Sequence, residues 1–348
     1  YPRTAWGTDY LAVSPHTQTN GNWMLAVAAE NQTTIEIQPT VAFNNGSIQN
    51  PPPNQITTYT INAGQFVQWS GSQDLAGSIL KADKPIGVFT GNPYIRVTTA
   101  DNPSSGQDSA HQQITDVNAL GHEYIGPGLY SRLAGLNPES VLYRLVGVVN
   151  GTQLTWDPAP PAGAPATLDA GQIVQFQTRD LFSVRAQDEE HPFSLTQYMS
   201  GTLSGQPGCG TNPNSNCTLG DDEWVVLVPP QQFLRHYAFF VDPTYGTSTL
   251  VMTRKRGPSG FSDVQLACMG DVGGWMPVGT DGEYEVAHVE LYRGSTAQVP
   301  ACATSQHLAS SEGDFGIMVW GTDYYASYGY PAGGNLKTLN EVSIGPAG

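Results

Sequence analysis

The amino-acid sequence predicts an all-β protein built from three repeated, antiparallel, sandwich-like units of about 100 residues each. Three observations predict it. Glycine (39) and proline (26) punctuate short alternating runs along the whole chain, which is the pattern of many strands joined by turns. An acid-aromatic pair recurs as Asp9-Tyr10, Glu123-Tyr124, Glu223-Trp224 and Asp323-Tyr324, the aromatic returning after 114, 100 and 100 residues. Between these pairs, other segments recur in one order, the signature of internal repetition.

The elements follow in sequence. "ENQTTIEI" (Glu30–Ile37), "VNGTQLTW" (Val149–Trp156) and "YGTSTLVM" (Tyr245–Met252) each place a tight turn before an alternating strand. Ile35/Ile37, Leu154/Trp156 and Leu250/Met252 then point to one face. Asn150-Gly151 carries the strongest hairpin signal, because both residues accept positive φ. "INAGQFVQW" (Ile61–Trp69) and "LDAGQIVQF" (Leu168–Phe176) come next, with "TDGEYEVAHVEL" as a weaker third copy. "ADKPIGVF" (Ala82–Phe89), "EEHPFSLT" (Glu189–Thr196) and "EGDFGIMVW" (Glu312–Trp320) close the order. The proline stretches "QNPPPNQ" and "APPAGAPA" interrupt matching positions and read as surface insertions, since proline cannot donate to a ladder. "QQITDVNAL" (Gln112–Leu120) is the best short helix candidate.

The expected organisation is repeat one over 1–112, repeat two over 113–212, repeat three over 213–318, and a closing strand and tail over 319–348. Two arrangements fit the matching ends. The closing strand pairs beside the first and completes a pseudo-threefold ring, or the protein continues with more copies. Tyr10, Tyr124, Trp224 and Tyr324 are expected on strands with buried rings, and the neighbouring acids should face outward.

Composition excludes several classes. Lysine and arginine number 14 against 30 acids, for a net charge of −16. A nucleic-acid partner would need a basic stripe to neutralise phosphates, so none is expected. An acidic surface also disfavours anionic lipid, and no apolar run approaches the ~18 residues that span a bilayer. Hydrophobic residues at 39% and seven tryptophans rule against disorder. The chain opens on Tyr1, consistent with a removed leader or a trimmed parent. Four cysteines fall in two neighbourhoods and predict the disulfides Cys209–Cys217 and Cys268–Cys302. Such bridges persist in oxidising compartments and predict an extracellular or cell-surface location.

No metalloprotease, nucleophile-elbow, P-loop or dinucleotide motif occurs. His111, His122, Asp116 and Glu123 form a possible small site but read by default as solvated loop residues. The clusters Asp188, Glu189, Glu190 and Asp221, Asp222, Glu223 would serve a glycosidase only if two carboxylates faced each other about 5–10 Å apart. They occupy matching turn positions, which favours a structural role. No metal is expected; calcium is the one cofactor weighed, and no Asp-x-Asp-x-Asp-Gly loop supports it.

"YYASYGYPAGG" is the most unusual local chemistry. Tyrosine offers rigid amphipathic area typical of recognition surfaces. Tyr328, Tyr330, Tyr325 and Asp323 are therefore the candidate binding residues. Gly329 and Pro331 should break the ladder and leave Tyr328 and Tyr330 beyond the strand, partly exposed. Packing of the closing strand is the competing role for these rings.

"SAHQQITDVNALGHEYI" (Ser109–Ile125), "DDEWVVLVPPQQFLRHYAFFVDPTYG" (Asp221–Gly246) and "GTDYYASYGYPAGG" (Gly321–Gly334) resemble the N-terminal domain of the IgG Fc-binding protein family. Ala326–Gly333 matches that family's Tyr-x-Ser-Tyr-Gly-Tyr-Pro-x-Gly closing element closely, and Pro230-Gln231-Gln232 matches its Pro-x-x-Gln element in part. Relatives often carry cysteines before the histidine segment, whereas "NPSSGQDSAHQQI" has none. The resemblance implies a secreted or surface-exposed protein and transfers no catalytic residue.

Three functions compete. The first is a non-enzymatic binding, adhesion or matrix module that contacts protein or glycan. The second is a carbohydrate-active enzyme with carboxylates between repeats. The third is a structural segment of a surface filament, its partners being further copies of itself.

Overall fold

The computed structural model describes residues 1–15, 21–44, 48–103, 106–202, 219–294 and 296–345. The fold is all-β, and every strand pairing is antiparallel. Among the described residues the helical content is five single 3-10 turns. The helix candidate at 112–120 is one of them. A strand runs to Ile114, and Asp116 then caps a turn over Val117–Ala119 by accepting from Asn118 N. The short Asp side chain that captures its own backbone ends the strand rather than starting a helix.

In chain order, the seven-stranded sheet, the two four-stranded sheets together and the nine-stranded sheet are called the first, second and third sets. The first set is β1 (Gly7–Leu11), β2 (Asn22–Ala28), β3 (Thr33–Gln38), β4 (Thr57–Ile61), β5 (Phe66–Gly71), β6 (Ile79–Ile95) and β7 (Asp108–Ile114). The second is β8 (Glu123–Gly126), β9 (Val141–Gly147), β10 (Thr152–Asp157), β11 (Thr167–Leu168), β12 (Ile173–Thr178), β13 (Phe182–Ala186), β14 (Phe193–Met199) and β15 (Glu223–Val226). The third is β16 (Leu234–Phe240), β17 (Thr247–Lys255), β18 (Val264–Leu266), β19 (Gly270–Asp271), β20 (Met276–Val278), β21 (Tyr284–Arg293), β22 (Thr296–Ala297), β23 (Gln306–Asp323) and β24 (Ala326–Pro331).

In the second set two sheets stand apart, β11-β10-β13-β8 and β12-β9-β14-β15. In the other two sets one long strand, β6 or β23, crosses both layers. Its first half takes β1 and β3, or β16 and β18. Its second half takes β2 and β7, or β17 and β24. Boundaries at 112 and 318 would cut β7 and β23, and β15 pairs with β14 of the second set. The closing strand β24 pairs with β23, not with β1.

A tyrosine starts each set. Tyr10 accepts from Gly7 N at 3.0 Å and donates to Ile86 O at 2.7 Å. Tyr237 accepts from Leu234 N at 3.0 Å and donates to Phe315 O at 2.6 Å. Tyr124 accepts from Gly121 N at 3.3 Å. All three rings are buried. The third member of this series is thus Tyr237, where the acid-aromatic letters pointed to Trp224. Trp224 is buried on β15, but as the cross-strand partner of Tyr198 in the second set. Tyr324 is 65% exposed and lies outside the strands.

The same shift moves Thr247–Lys255. It pairs like β2 and β9, while Val264–Leu266 takes the place of β3 and β10. The acids also depart from expectation. Asp9 and Glu123 are buried, Asp9 beside Lys81 and Glu123 bonded to Arg185 and the Tyr284 hydroxyl. A charged partner at hand removes the cost that would otherwise turn them to water.

One joint occurs twice. The outer face of β12-β9-β14-β15 carries Leu142, Val146, Tyr198 and Trp224, which share a core with Ala12, Val13 and Leu75 from the loops of the first set. Arg144 on that face pairs with Asp74, itself bonded to Ser14 at 2.7 Å. The equivalent face of the third set carries Val251, Met318 and Trp320, which share a core with Leu129 of the second. His288 on β21 meets Pro127 O at 2.9 Å. Loops of one set therefore seat on a sheet of the next.

Cys268 and Cys302 form a disulfide with Cα atoms 5.0 Å apart, tying the turn after β18 to the loop before β23. Cys209 and Cys217 lie outside the described residues. No described helix is long and apolar enough to cross a membrane.

Candidate functional site

The loop end of the third set gathers the tyrosines singled out by the sequence. β23 and β24 form a hairpin whose last pair is Asp323 with Ala326, so Tyr324 and Tyr325 are its two-residue loop. Such loops favour Asn and Gly, because positive φ is required. Tyr325 nevertheless sits at φ +48°. A left-handed conformation costs an L-residue of this size roughly 1–2 kcal/mol. The two rings meet edge to face, 4.6 Å apart, and are 65% and 56% exposed. A bulky, solvent-facing pair with one residue, Tyr325, held at positive φ is what selection for packing would remove.

The turn is braced from behind. The Asp323 carboxylate accepts from Tyr324 N at 2.6 Å and from Gly246 N at 3.1 Å, joining the hairpin to the turn after β16. Asp323 is thus a positioning residue. Tyr328 and Tyr330 lie on β24, not beyond it. Pro331 ends an edge strand and Gly329 pairs with Trp320, so neither breaks the ladder. Their rings are half-buried. The Tyr328 hydroxyl accepts from Asp242 N at 2.9 Å. That of Tyr330 accepts from Phe240 N at 3.1 Å and donates to Phe240 O. Burial pushes both phenols up from their ordinary value. The Tyr328 ring fills the space above Gly321, where a Cβ would come within 2.0 Å of it. Tyr245 packs edge-on against Tyr328 at 4.8 Å. The result is an aromatic strip running from the 52% exposed Phe240 through Tyr330, Tyr328 and Tyr245.

The other candidate groups do not converge. Asp188 and Glu190 occupy an exposed turn, where Asp188 binds His191. Asp222 is buried and accepts from Val97 N at 2.6 Å and Gly201 N at 3.2 Å. Asp116 accepts from Thr8 N and Asp9 N, both at 2.9 Å. Its carboxylate holds β1, and His111 and His122 do not join it in a metal cluster. Among the described residues no three His, Cys, Asp or Glu side chains come together to hold a metal. A cleft of about 340 Å³ at the second joint, lined by Leu136, Leu181, Met276 and His288, was not legible in the letters. Its walls come from loops and strands distant in sequence.

The Glu223 carboxyl lies well above the ordinary carboxylate range. Burial, with the Asp108 charge adding, pushes it up to about 8 from an ordinary 4.5. The unfolded chain releases this proton near the ordinary value and the folded chain only near 8. The group's contribution to stability is therefore full below about pH 4.5 and lost as pH rises through 8. Glu223→Gln is expected to flatten the stability profile across that window, measured by urea unfolding at stepped pH. An unchanged slope would contradict the assignment.

Comparison with known proteins gives one direction. No solved structure matches the chain. A human protein named IgGFc-binding protein is 26% identical over 351 residues, covering 98% of this chain and 6% of its own length. The chain thus spans a small part of that relative. The family model described as IgGFc binding protein matches residues 1–321. The chain belongs to the IgGFc-binding protein family.

Proposed function

We propose that this chain is a non-enzymatic, extracellular protein-binding module of three units, β1–β7, β8–β15 and β16–β24, that contacts its partner through the Tyr324–Tyr325 hairpin and the strip behind it. The observation that carries this reading is the exposed tyrosine pair on a braced turn, with Tyr325 held at positive φ. Its two rings supply contact area at low conformational cost, because Asp323 has already fixed the turn. The family and the name of the human relative support a protein ligand, and the Cys268–Cys302 bridge suits an oxidising location. The carboxylates a glycosidase would use are spent on backbone bonds or stand on an open turn, which supports the non-enzymatic reading.

Immunoglobulin Fc, the ligand in the relative's name, is the first probe. Titration calorimetry of the whole chain should show saturable binding that the double variant Tyr324→Ala/Tyr325→Ala weakens at least tenfold, about 1.4 kcal/mol. Tyr325→Gly should stabilise the fold by up to about 1 kcal/mol while also weakening binding, since glycine accepts the left-handed turn. Unchanged affinity in the double variant would sink the reading. So would absence of binding both to Fc and to an array of extracellular proteins.

A further inference from the structure

The joint between successive sets leaves one loop end and one sheet face unused. In the second set, Leu142 stands opposite Tyr198 and both are buried beneath the first set. In the third, Thr249 stands opposite Trp320 and both are buried at the second joint. The same place in the first set pairs Trp23 with Gly91. There Trp6 covers the sheet face at Gly87, where a Cβ would come within 2.7 Å of its indole, and no described strand lies over the remainder. Trp23, Leu25, Val27 and Phe89 keep part of their surface in water, and Phe66 on β5 is 60% exposed. Trp23 lies across its neighbouring strand, since a Cβ on Gly91 would come within 2.5 Å of the indole. A terminal face of a repeat array stays soluble by being polar. This one sets Trp23, Leu25, Val27, Phe66 and Phe89 among Gln68, Ser70 and Gln113. Clustered exposed apolar residues mark contacts.

At the opposite end, among the described residues, Leu219 and Gly220 pair with Tyr324 and Asp323, and the rings of Tyr324 and Tyr325 remain exposed. The loops that seat the first set on the second and the second on the third correspond, in the third, to the turn at Asp242–Tyr245, the hairpin tip Tyr324–Tyr325 and the loop carrying Cys302. Among the described residues no hydrogen bond or ion pair joins that end to the sheet face of the first set.

We propose that the chain associates head to tail with a second copy of itself, the tyrosine-bearing loop end of the third set seating on the Trp23–Phe66–Phe89 sheet face of the first. The inference rests on the reading of the tyrosine hairpin as a protein-binding surface and names its partner as another unit of the same kind. The internal joints supply the precedent, because the chain already makes this type of contact twice. The new joint differs in its chemistry. Where the earlier loops carry Asp74-Leu75 and Asp180-Leu181, the third carries a disulfide-clamped turn over Pro300–Cys302, so its contact is aromatic and its loop pre-ordered. The contact is heterologous, so it extends to further copies unless the rotation closes. With a net charge of −16 per chain, copies repel at low salt, and screening strengthens the association.

Sedimentation velocity of the whole chain from about 1 to about 100 µM tests this. The weight-average mass should rise with concentration and with salt. Phe66→Glu on the face and Tyr324→Ala/Tyr325→Ala on the end should each weaken association at least tenfold. An equimolar mixture of the two variants should form dimers and nothing larger, because each retains one intact surface. At concentrations where the unaltered chain is monomeric, Phe66→Glu should leave Fc binding unchanged. A monomer at every concentration would overturn the inference and leave the protein-binding reading standing. Association that survives Phe66→Glu would show that the face is not the seat. A monomer that binds a neutral-glycan array through a face which Phe66→Glu abolishes would assign that face to sugar and overturn the proposal.

Discussion

Tyr237→Ala is expected to lower the stability of the fold by about 3–5 kcal/mol, and Tyr10→Ala and Tyr124→Ala by similar amounts. Each ring fills a core at 4% exposure or less. Each hydroxyl also closes a backbone gap at the entry to its set. For Tyr237 the loss of the hydroxyl orphans Leu234 N and Phe315 O together. Tyr237→Phe should therefore cost about 1–3 kcal/mol with no change in packing. Tyr324→Ala should change stability by less than about 0.5 kcal/mol, since its ring is 65% exposed. Guanidinium unfolding followed by circular dichroism separates these cases. A cost below about 1 kcal/mol for Tyr237→Ala would refute its role in starting the third set.

Arg132→Ala should be the most damaging polar substitution. Arg132 and Glu139 form an ion pair at 2.7 Å with side chains only 4% and 2% exposed. The guanidinium also donates to Gly201 O at 3.3 Å and Leu219 O at 3.2 Å. This closes the loop between β8 and β9, which seats on the third set. Removing one partner leaves a buried charge unpaired, at a cost of about 3–5 kcal/mol. Replacing both, as Arg132→Met/Glu139→Leu, should recover most of that loss, because an apolar pair needs no compensation. A double variant as unstable as the single one would show that the backbone bonds, and not the charge pair, hold the loop.

Much of the fold was legible because alternation records burial directly. Ile35 and Ile37, and Leu154 and Trp156, lie where their pattern put them. The local spacing of Cys268 and Cys302 announced their bond. The register of the third set was not legible. Glu223-Trp224 copies the letters of the earlier pairs, but the feature that recurs is a tyrosine three residues after the backbone donor it accepts from. That feature needs the opposing carbonyl at Ile86 or Phe315, far away in sequence. The inward acids were hidden for a similar reason, since Arg185 lies 62 residues from Glu123. The candidate site was half visible. Tyrosine density marked the closing segment, yet the letters could not show that Tyr328 and Tyr330 spend their hydroxyls on the backbone of Asp242 and Phe240 while Tyr324 and Tyr325 face water.

Hydrogen–deuterium exchange during titration with Fc tests the central claim most directly, because it reports where a partner sits without altering the chain. The account predicts protection confined to residues 240–246 and 321–331, strongest at Tyr324 and Tyr325. Protection centred instead on the exposed turn at Asp188–His191, with the hairpin unchanged, would contradict it.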